Sequence, residues 1–200
     1  MRKRFHKEPN PLKSVATLKS KNSRLSPEPA VIWLTGLSGA GKTTIAGCLN
    51  ELFNESGINP VLLDGDEIRK KLNVRNYDEE SRKKHNLYVG YLASILEREG
   101  KVVIVSLISP YSEIRDEVRN MCRNFIEVYV STELEVCIQR DTKGQYAKAM
   151  SGEIRDFTGI SAPYFPPAHP EIIVDNGSMA FRECTEIIFR FYIQRFAVVS

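Results

Sequence analysis

Five short apolar runs punctuate the chain, at 30–35 (AVIWLT), 60–64 (PVLLD), 102–108 (VVIVSLI), 125–131 (FIEVYVS) and 171–175 (EIIVD). They are near-continuous rather than alternating, which is how strands read when a parallel sheet is covered on both faces. Stretches with helical spacing lie between and after them, at 42–56, 78–99, 112–123, 133–140 and 179–197. This strand–helix alternation predicts an α/β fold in three layers, with a five-stranded, mainly parallel sheet in the middle. The last helix places Phe181, Cys184, Ile187, Ile188 and Phe191 on one face, the pattern of a core-covering helix. Two regions break the rhythm. Residues 1–29 carry four prolines and little periodicity and read as an N-terminal arm ahead of a domain at 30–200. Residues 141–170 are too long for an ordinary connection, and loops of that size in a compact domain are usually lids or binding segments.

The first strand runs directly into GLSGAGKTT, which contains G-x-x-x-x-G-K-[ST] from Gly36 to Thr43. Chance yields that spacing in about 1% of chains of this length. Glycines let successive N–H groups turn inward into a concave anion cradle, and the following helix adds its unpaired amides and the positive end of its dipole. Lys42 would reach the β- and γ-phosphates and the Thr43 hydroxyl would ligate Mg²⁺. The sequence therefore predicts a P-loop nucleoside triphosphate hydrolase-type fold that takes ATP and Mg²⁺, with the phosphates held by Gly36, Leu37, Ser38, Gly39, Ala40, Gly41, Lys42, Thr43 and Thr44.

Ligands of open parallel sheets collect at the carboxyl ends of the strands. The second run ends in LLDGDEIR, with Asp64 and Asp66 flanking Gly65. Either the two acids cap the short helix that begins there, or they serve the metal and a substrate hydroxyl; beside a P-loop the second role has more to recommend it. The third run ends in SLISPY without the aspartate of a Walker B strand, so the metal-side acid falls to Asp64. Phosphoryl transfer also needs positive charge around the equatorial oxygens, for which Arg69, Arg82, Arg140 and Lys143 are candidates. A P-loop domain with a lid and no NKxD guanine motif reads as a metabolite kinase.

Charge and cysteines narrow the partners. The net charge of +3 is uneven: residues 1–29 hold eight Lys/Arg against two acids, so the remainder is acidic. No basic amphipathic helix accompanies the basic arm, and no stretch of 18 apolar residues occurs, so neither nucleic acid nor membrane is an expected partner. Cys48, Cys122, Cys137 and Cys184 form no CxxC pair and read as reduced thiols of a cytoplasmic protein. His6, His85 and His169 lack metal-ligand spacing, which leaves nucleotide-bound Mg²⁺ as the one expected metal.

The stretches GLSGAGKTT, LLDGDEIR, SLISPY, QRDTKGQYAKA and GEIRDFTGISAPYFPPAHPEI, in this order, resemble the adenylyl-sulfate kinase (APS kinase) family over about 30–176. The resemblance implies transfer of the γ-phosphate of MgATP to the 3′-hydroxyl of adenosine 5′-phosphosulfate (APS), giving PAPS. It further implies Asp64 and Asp66 at the metal water and the 3′-hydroxyl, Arg69 and Arg82 on the phosphosulfate, and Tyr77 and Phe157 sandwiching the adenine. Ile108, Lys143 and Thr158 become substrate contacts, Arg140 a nucleotide contact, and Ser109 the serine that the family marks as a phosphoserine intermediate; a homodimer is a further implication. The chain departs from the family on the acceptor side. Where the family reads R-x-E-N-I-R-R, this chain reads RKKHNLYVG, so either His85 or Asn86 takes the place of the substrate asparagine. Gln145 and Ala147 replace the usual Leu and Lys of the lid. Two alternatives stay open on these grounds: a kinase for another nucleotide-linked anion, such as a cytidine diphosphoramidate, and a non-catalytic nucleotide-binding subunit.

Overall fold

A computed structural model describes residues 25–74 and 76–199. Most of the basic arm, with His6, lies outside these residues. Five parallel strands form one sheet: β2 (Ala30–Thr35), β3 (Val61–Asp64), β4 (Val102–Ser106), β5 (Phe125–Val130) and β6 (Ile172–Val174), in the order β3-β4-β2-β5-β6. The central strand β2 is buried along its whole length, which explains why AVIWLT is apolar at both alternations. Its even-numbered side chains Ile32 and Leu34 pack with α1 (Lys42–Glu55) and α7 (Phe181–Phe196), while Val31 and Trp33 face α3 (Glu79–Arg98) and α4 (Ser112–Met121). The result is the three-layer α/β arrangement that the alternation of runs predicts.

The other helices are short: α2 (Gly65–Lys71) follows β3, while α5 (Leu134–Arg140) and α6 (Gln145–Met150) follow β5. The expected lid at 141–170 thus contains one helix, and the remainder is loop with an isolated bridge between Thr158 and Ala162. The strand expected at 102–108 stops at Ser106, and Leu107 to Pro110 form a loop.

Two features differ from the expected pattern. The residues at 25–27, assigned by composition to the arm, form β1 (Leu25–Pro27) and pair antiparallel with β7 (Ala197–Val199). A three-residue ribbon is too short for alternation to reveal. The buried stripe of α7 is also rotated from the expected one: Cys184, Thr185, Ile188, Phe189, Tyr192 and Phe196 are buried, whereas Phe181 is exposed. Phe53 of α1 sets this rotation, because it meets Phe189 and Tyr192 edge-on with ring centroids at 5.1 and 5.0 Å. All four cysteines are free; Cys137 and Cys184 are buried and Cys48 and Cys122 are half-buried.

Candidate active site

The loop between β2 and α1 takes its shape from glycine. Gly36, Gly39 and Gly41 have φ of 153°, 75° and 98°, values that L side chains rarely adopt. A Cβ on Gly36 would lie 2.6 Å from the Val130 carbonyl oxygen, so the close approach to β5 also demands glycine there. Gly41 enters α1 in the left-handed region with no side-chain cap, leaving the first-turn amides of the helix for an anion.

The carbonyls of this loop are held from outside. Tyr146 Oη donates to Ser38 O at 2.9 Å, Arg140 to Gly39 O at 3.4 Å, and both Asn176 Nδ2 (2.8 Å) and Thr132 Oγ1 (3.1 Å) to Ala40 O. Carbonyls drawn outward allow N–H groups of the loop to turn inward, the arrangement that a phosphate requires, although the Ala40 N–H donates to Leu37 O at 3.2 Å. Arg140 also donates to Asn176 O at 2.7 Å, joining the loop to the segment after β6. Thr132, Tyr146 and Asn176 escape motif reading, since their part in the site is to position backbone. The available clue is that Thr132 and Asn176 follow directly on two strand ends.

Lys42 Nζ curls into the loop and donates to Gly36 O at 2.9 Å and Leu37 O at 2.7 Å. Burial lowers its pKa to about 8, with the charges of Asp66 and Asp64 opposing the shift. Thr43 Oγ1 donates to Asp64 Oδ2 at 3.0 Å and lies 3.3 Å from Ser106 Oγ. Asp64 Oδ1 meanwhile accepts from the Asp66 and Glu67 amides at 3.0 and 3.2 Å and caps α2. One oxygen of this aspartate therefore caps α2, while the other faces the Thr43 hydroxyl. Thr43, Asp64 and Ser106 form an all-oxygen donor set, which suits a hard cation such as Mg²⁺. Among the described residues no cluster of three or more His, Cys, Asp or Glu side chains could hold a metal by itself.

Asp66 points to the lid instead, where it accepts from Lys143 Nζ at 2.5 Å. Partial burial alone would raise the Asp66 pKa, but the hydrogen bond and charge of Lys143, with Lys42 and Arg69, bring it below the ordinary value. The acids two residues apart thus turn to different partners, Asp64 to Thr43 of α1 and Asp66 to Lys143 of the 141–170 segment.

The expected acceptor side is assembled from distant segments. The Arg69 guanidinium lies 4.6 Å over the Tyr77 ring and donates to Asn76 O at 2.8 Å. Tyr77 is 55% exposed. Phe157 packs edge-on against Tyr146 at 4.9 Å. Arg82 joins the two regions: Nε donates to Tyr77 O (2.7 Å), Nη1 to Thr158 Oγ1 (2.8 Å) and Nη2 to Asp156 O (2.5 Å). One buried guanidinium therefore fixes the backbone beside both expected aromatic residues.

His85 and Asn86, the two candidates for the family asparagine, are both buried in α3. His85 Nε2 lies 3.1 Å from Gly65 O, between the two site aspartates in sequence. Burial, and then the charge of Arg69, lowers its pKa to about 4, so the ring is neutral at ordinary pH. Asn86 Nδ2 donates to Arg82 O at 2.9 Å, and its buried Oδ1 has no partner among the described residues. Ile108 O accepts from Gly36 N (3.3 Å) and Thr35 Oγ1 (2.7 Å), which ties the end of β4 to the start of the P-loop. Ser109 is buried at φ 46°, with its hydroxyl unpartnered among the described residues.

The chain matches the adenylylsulphate kinase family over residues 28–175. The adenylyl-sulfate kinase of Rippkaea orientalis is 51% identical over 142 residues, spanning 70% of this chain and 78% of that one. A probable adenylyl-sulfate kinase of Pyrococcus abyssi is 48% identical over 164 residues, covering 82% and 94% of the two chains. Among solved structures, the Mycobacterium tuberculosis APS kinase in complex with AMPPNP and APS superposes with a TM-score of 0.79 at 33% identity, over 84% of this chain and 99% of that one. A Sinorhizobium meliloti gluconokinase, at 16% identity and a TM-score of 0.53 over 84% and 94% of the chains, shares the fold alone. Matched by the family model over most of its length, and about half identical to relatives that it largely covers, this chain belongs to the adenylylsulphate kinase family.

Proposed function

We propose that the protein transfers the γ-phosphate of ATP to the 3′-hydroxyl of APS, yielding PAPS and ADP. The observation that carries this reading is the pairing of a glycine-built phosphate cradle with an acceptor cleft whose two aromatic segments, around Tyr77 and Phe157, are fixed by one arginine. Residues 36–44 bind the triphosphate. Lys42 exchanges the carbonyls of Gly36 and Leu37 for phosphate oxygens, which restore the charge that burial disfavours. Arg140 borders the nucleotide where it joins the P-loop to the segment after β6.

Thr43 and Asp64 are the residues that would hold Mg²⁺. When bound, the ion supplies charge neutralisation at the β- and γ-oxygens. Tyr77 and Phe157 hold the acceptor adenine by stacking, and Arg69 and Lys143 offer charge to the phosphosulfate. Asp66, released from Lys143 as the acceptor enters, orients the 3′-hydroxyl. The acceptor oxygen then displaces ADP in line: the new P–O bond forms as the bond to the β,γ-bridging oxygen breaks, and the hydroxyl proton passes to the Asp66 side. This displacement needs no covalent relay. The burial of the Ser109 hydroxyl supports a positioning part for that residue rather than a phosphoserine.

Purified protein incubated with MgATP and APS is expected to form PAPS; folded protein that forms none above background would overturn the reading. The replacement of R-x-E-N-I-R-R by RKKHNLY motivates a parallel reaction with a cytidine diphosphoramidate, in which APS is expected to be the faster acceptor.

A further inference from the structure

Three non-glycine residues among those described have positive φ: Asn73, Ser109 and Asp156. Asn73 follows α2, where a left-handed asparagine is an ordinary helix terminator. The other two lie on the acceptor side, and an arginine grips the carbonyl of each. Arg82 Nη2 donates to Asp156 O, and Arg115 Nη1 donates to Ser109 O at 2.7 Å. Serine has the weaker tolerance of this conformation, since asparagine and aspartate are the residues enriched there.

Arg115 is 3% exposed, on the inner face of α4. Its Nε donates to Glu127 Oε1 of β5 at 2.7 Å, and Nη2 donates to Phe165 O at 2.8 Å. Arg119 reaches the second Glu127 oxygen at 3.2 Å, and Glu171 holds Arg119 through both of its oxygens (2.6 and 2.9 Å). The buried guanidinium therefore has a fixed counter-ion and two backbone targets. One target is the left-handed turn at Ser109, and the other is the exit of the 141–170 segment.

The turn has mechanical consequences on both sides. Before it, Ile108 O touches the P-loop through Gly36 N. After it, Pro110 O accepts from Phe165 N at 2.9 Å. A change of backbone conformation at Ser109 would shift the lid exit relative to the P-loop, and with it Phe157 and Thr158 upstream. We infer that Arg115, anchored by Glu127, is a positioning residue: by clamping Ser109 in its left-handed turn together with Phe165, it holds the acceptor-binding lid in register with the donor cradle. The inference rests on the kinase reading given above. The nucleotide cradle itself is braced by Thr132, Arg140, Tyr146 and Asn176, none of which bonds to Arg115. The clamp reaches the cradle only indirectly, through Ile108 O and Gly36 N and through Phe157 against Tyr146, so nucleotide affinity is expected to depend on it far less than acceptor affinity does.

The test is Arg115→Lys, which keeps the charge but cannot meet Glu127, Ser109 and Phe165 together. KM for APS is expected to rise at least about tenfold, while Kd for AMPPNP by calorimetry stays within about twofold. Amide hydrogen exchange is expected to quicken at least about tenfold across 159–166 and to be unchanged in α1. In a Ser109→Gly background the same lysine substitution is expected to raise KM by less than about threefold, because glycine adopts the turn without a clamp. Unchanged acceptor KM and exchange, an equal loss of APS and AMPPNP affinity, or full additivity with Ser109→Gly would each overturn the inference. If Arg115→Lys does not fold, Glu127→Gln, which frees the guanidinium while keeping the shape, is read against the same criteria. Wild-type protein that makes no PAPS would refute the kinase reading alone, since the exchange contrast between 159–166 and α1 judges the clamp without any substrate.

Discussion

In the proposed reading nine consecutive residues, Gly36 to Thr44, make the donor cradle, whereas the acceptor side draws on α2 and the loop after it, the loop after β4, α3 and the 141–170 segment. The cradle depends on backbone: three glycines at positive φ and outward-held carbonyls. The acceptor side depends on side chains: Arg82 and Arg115 pin loops from segments 74 and 50 residues away in sequence. Backbone geometry set by local residue types permits few substitutions, and so appears as a strict motif. A cleft held by long-range staples can change its lining residue by residue while its frame stays put. The intact P-loop beside an altered RKKHN segment is the form that this contrast takes in the sequence.

The comparison breaks first at Lys42. Lys42→Ala is expected to lower kcat at least about 100-fold, the scale for losing one electrostatic donor to developing charge. Steady-state rates on a variant with a native melting curve check this, and a mere rise in ATP KM would assign Lys42 to ground-state binding. Gly36→Ala places a Cβ 2.6 Å from the Val130 carbonyl oxygen at φ 153°. It is expected to cost about 1–3 kcal/mol of stability and to weaken AMPPNP at the same time, as measured by melts and calorimetry. A well-folded variant with normal AMPPNP affinity would show that the cradle does not depend on this glycine.

On the opposite side, Phe157→Ala is expected to weaken APS by about 1–3 kcal/mol and leave AMPPNP affinity unchanged. Calorimetry with each ligand separates the two, and a variant altered only toward the nucleotide would move Phe157 to the donor side. The smallest effect concerns His85. Its folded pKa of about 4 lies below the ordinary 6.5, so between those values the unfolded chain takes up a proton that the folded one refuses. Stability from this group is complete above about 6.5, is lost as the pH falls toward 4, and changes no further below that. Thermal melts at pH 7.5 and 5 are expected to diverge less for His85→Gln than for the parent; equal divergence would mean that the ring is not held neutral by the fold.

The parallel sheet was legible because near-continuous apolar runs are what a doubly covered strand must be, and each observed core strand lies inside its expected run. The rotation of α7 was not, since its apolar residues occupy more than one face and Phe53 of another helix selects between them. Asp64 illustrates the middle case. Its position at a strand end was legible, but its division between capping α2 and meeting Thr43 depends on where α1 and α2 come to lie.

By itself the sequence determined the order of the five core strands and their main flanking helices and, through its motifs, the family, because these patterns are carried by residues adjacent in the chain. Only the tertiary structure decided which carbonyls Thr132, Tyr146 and Asn176 hold, how Arg82 and Arg115 are used, and that Ser109 is left-handed. A guanidinium bonds whatever oxygen the packing brings within about 3 Å, and no pattern along the chain encodes that meeting.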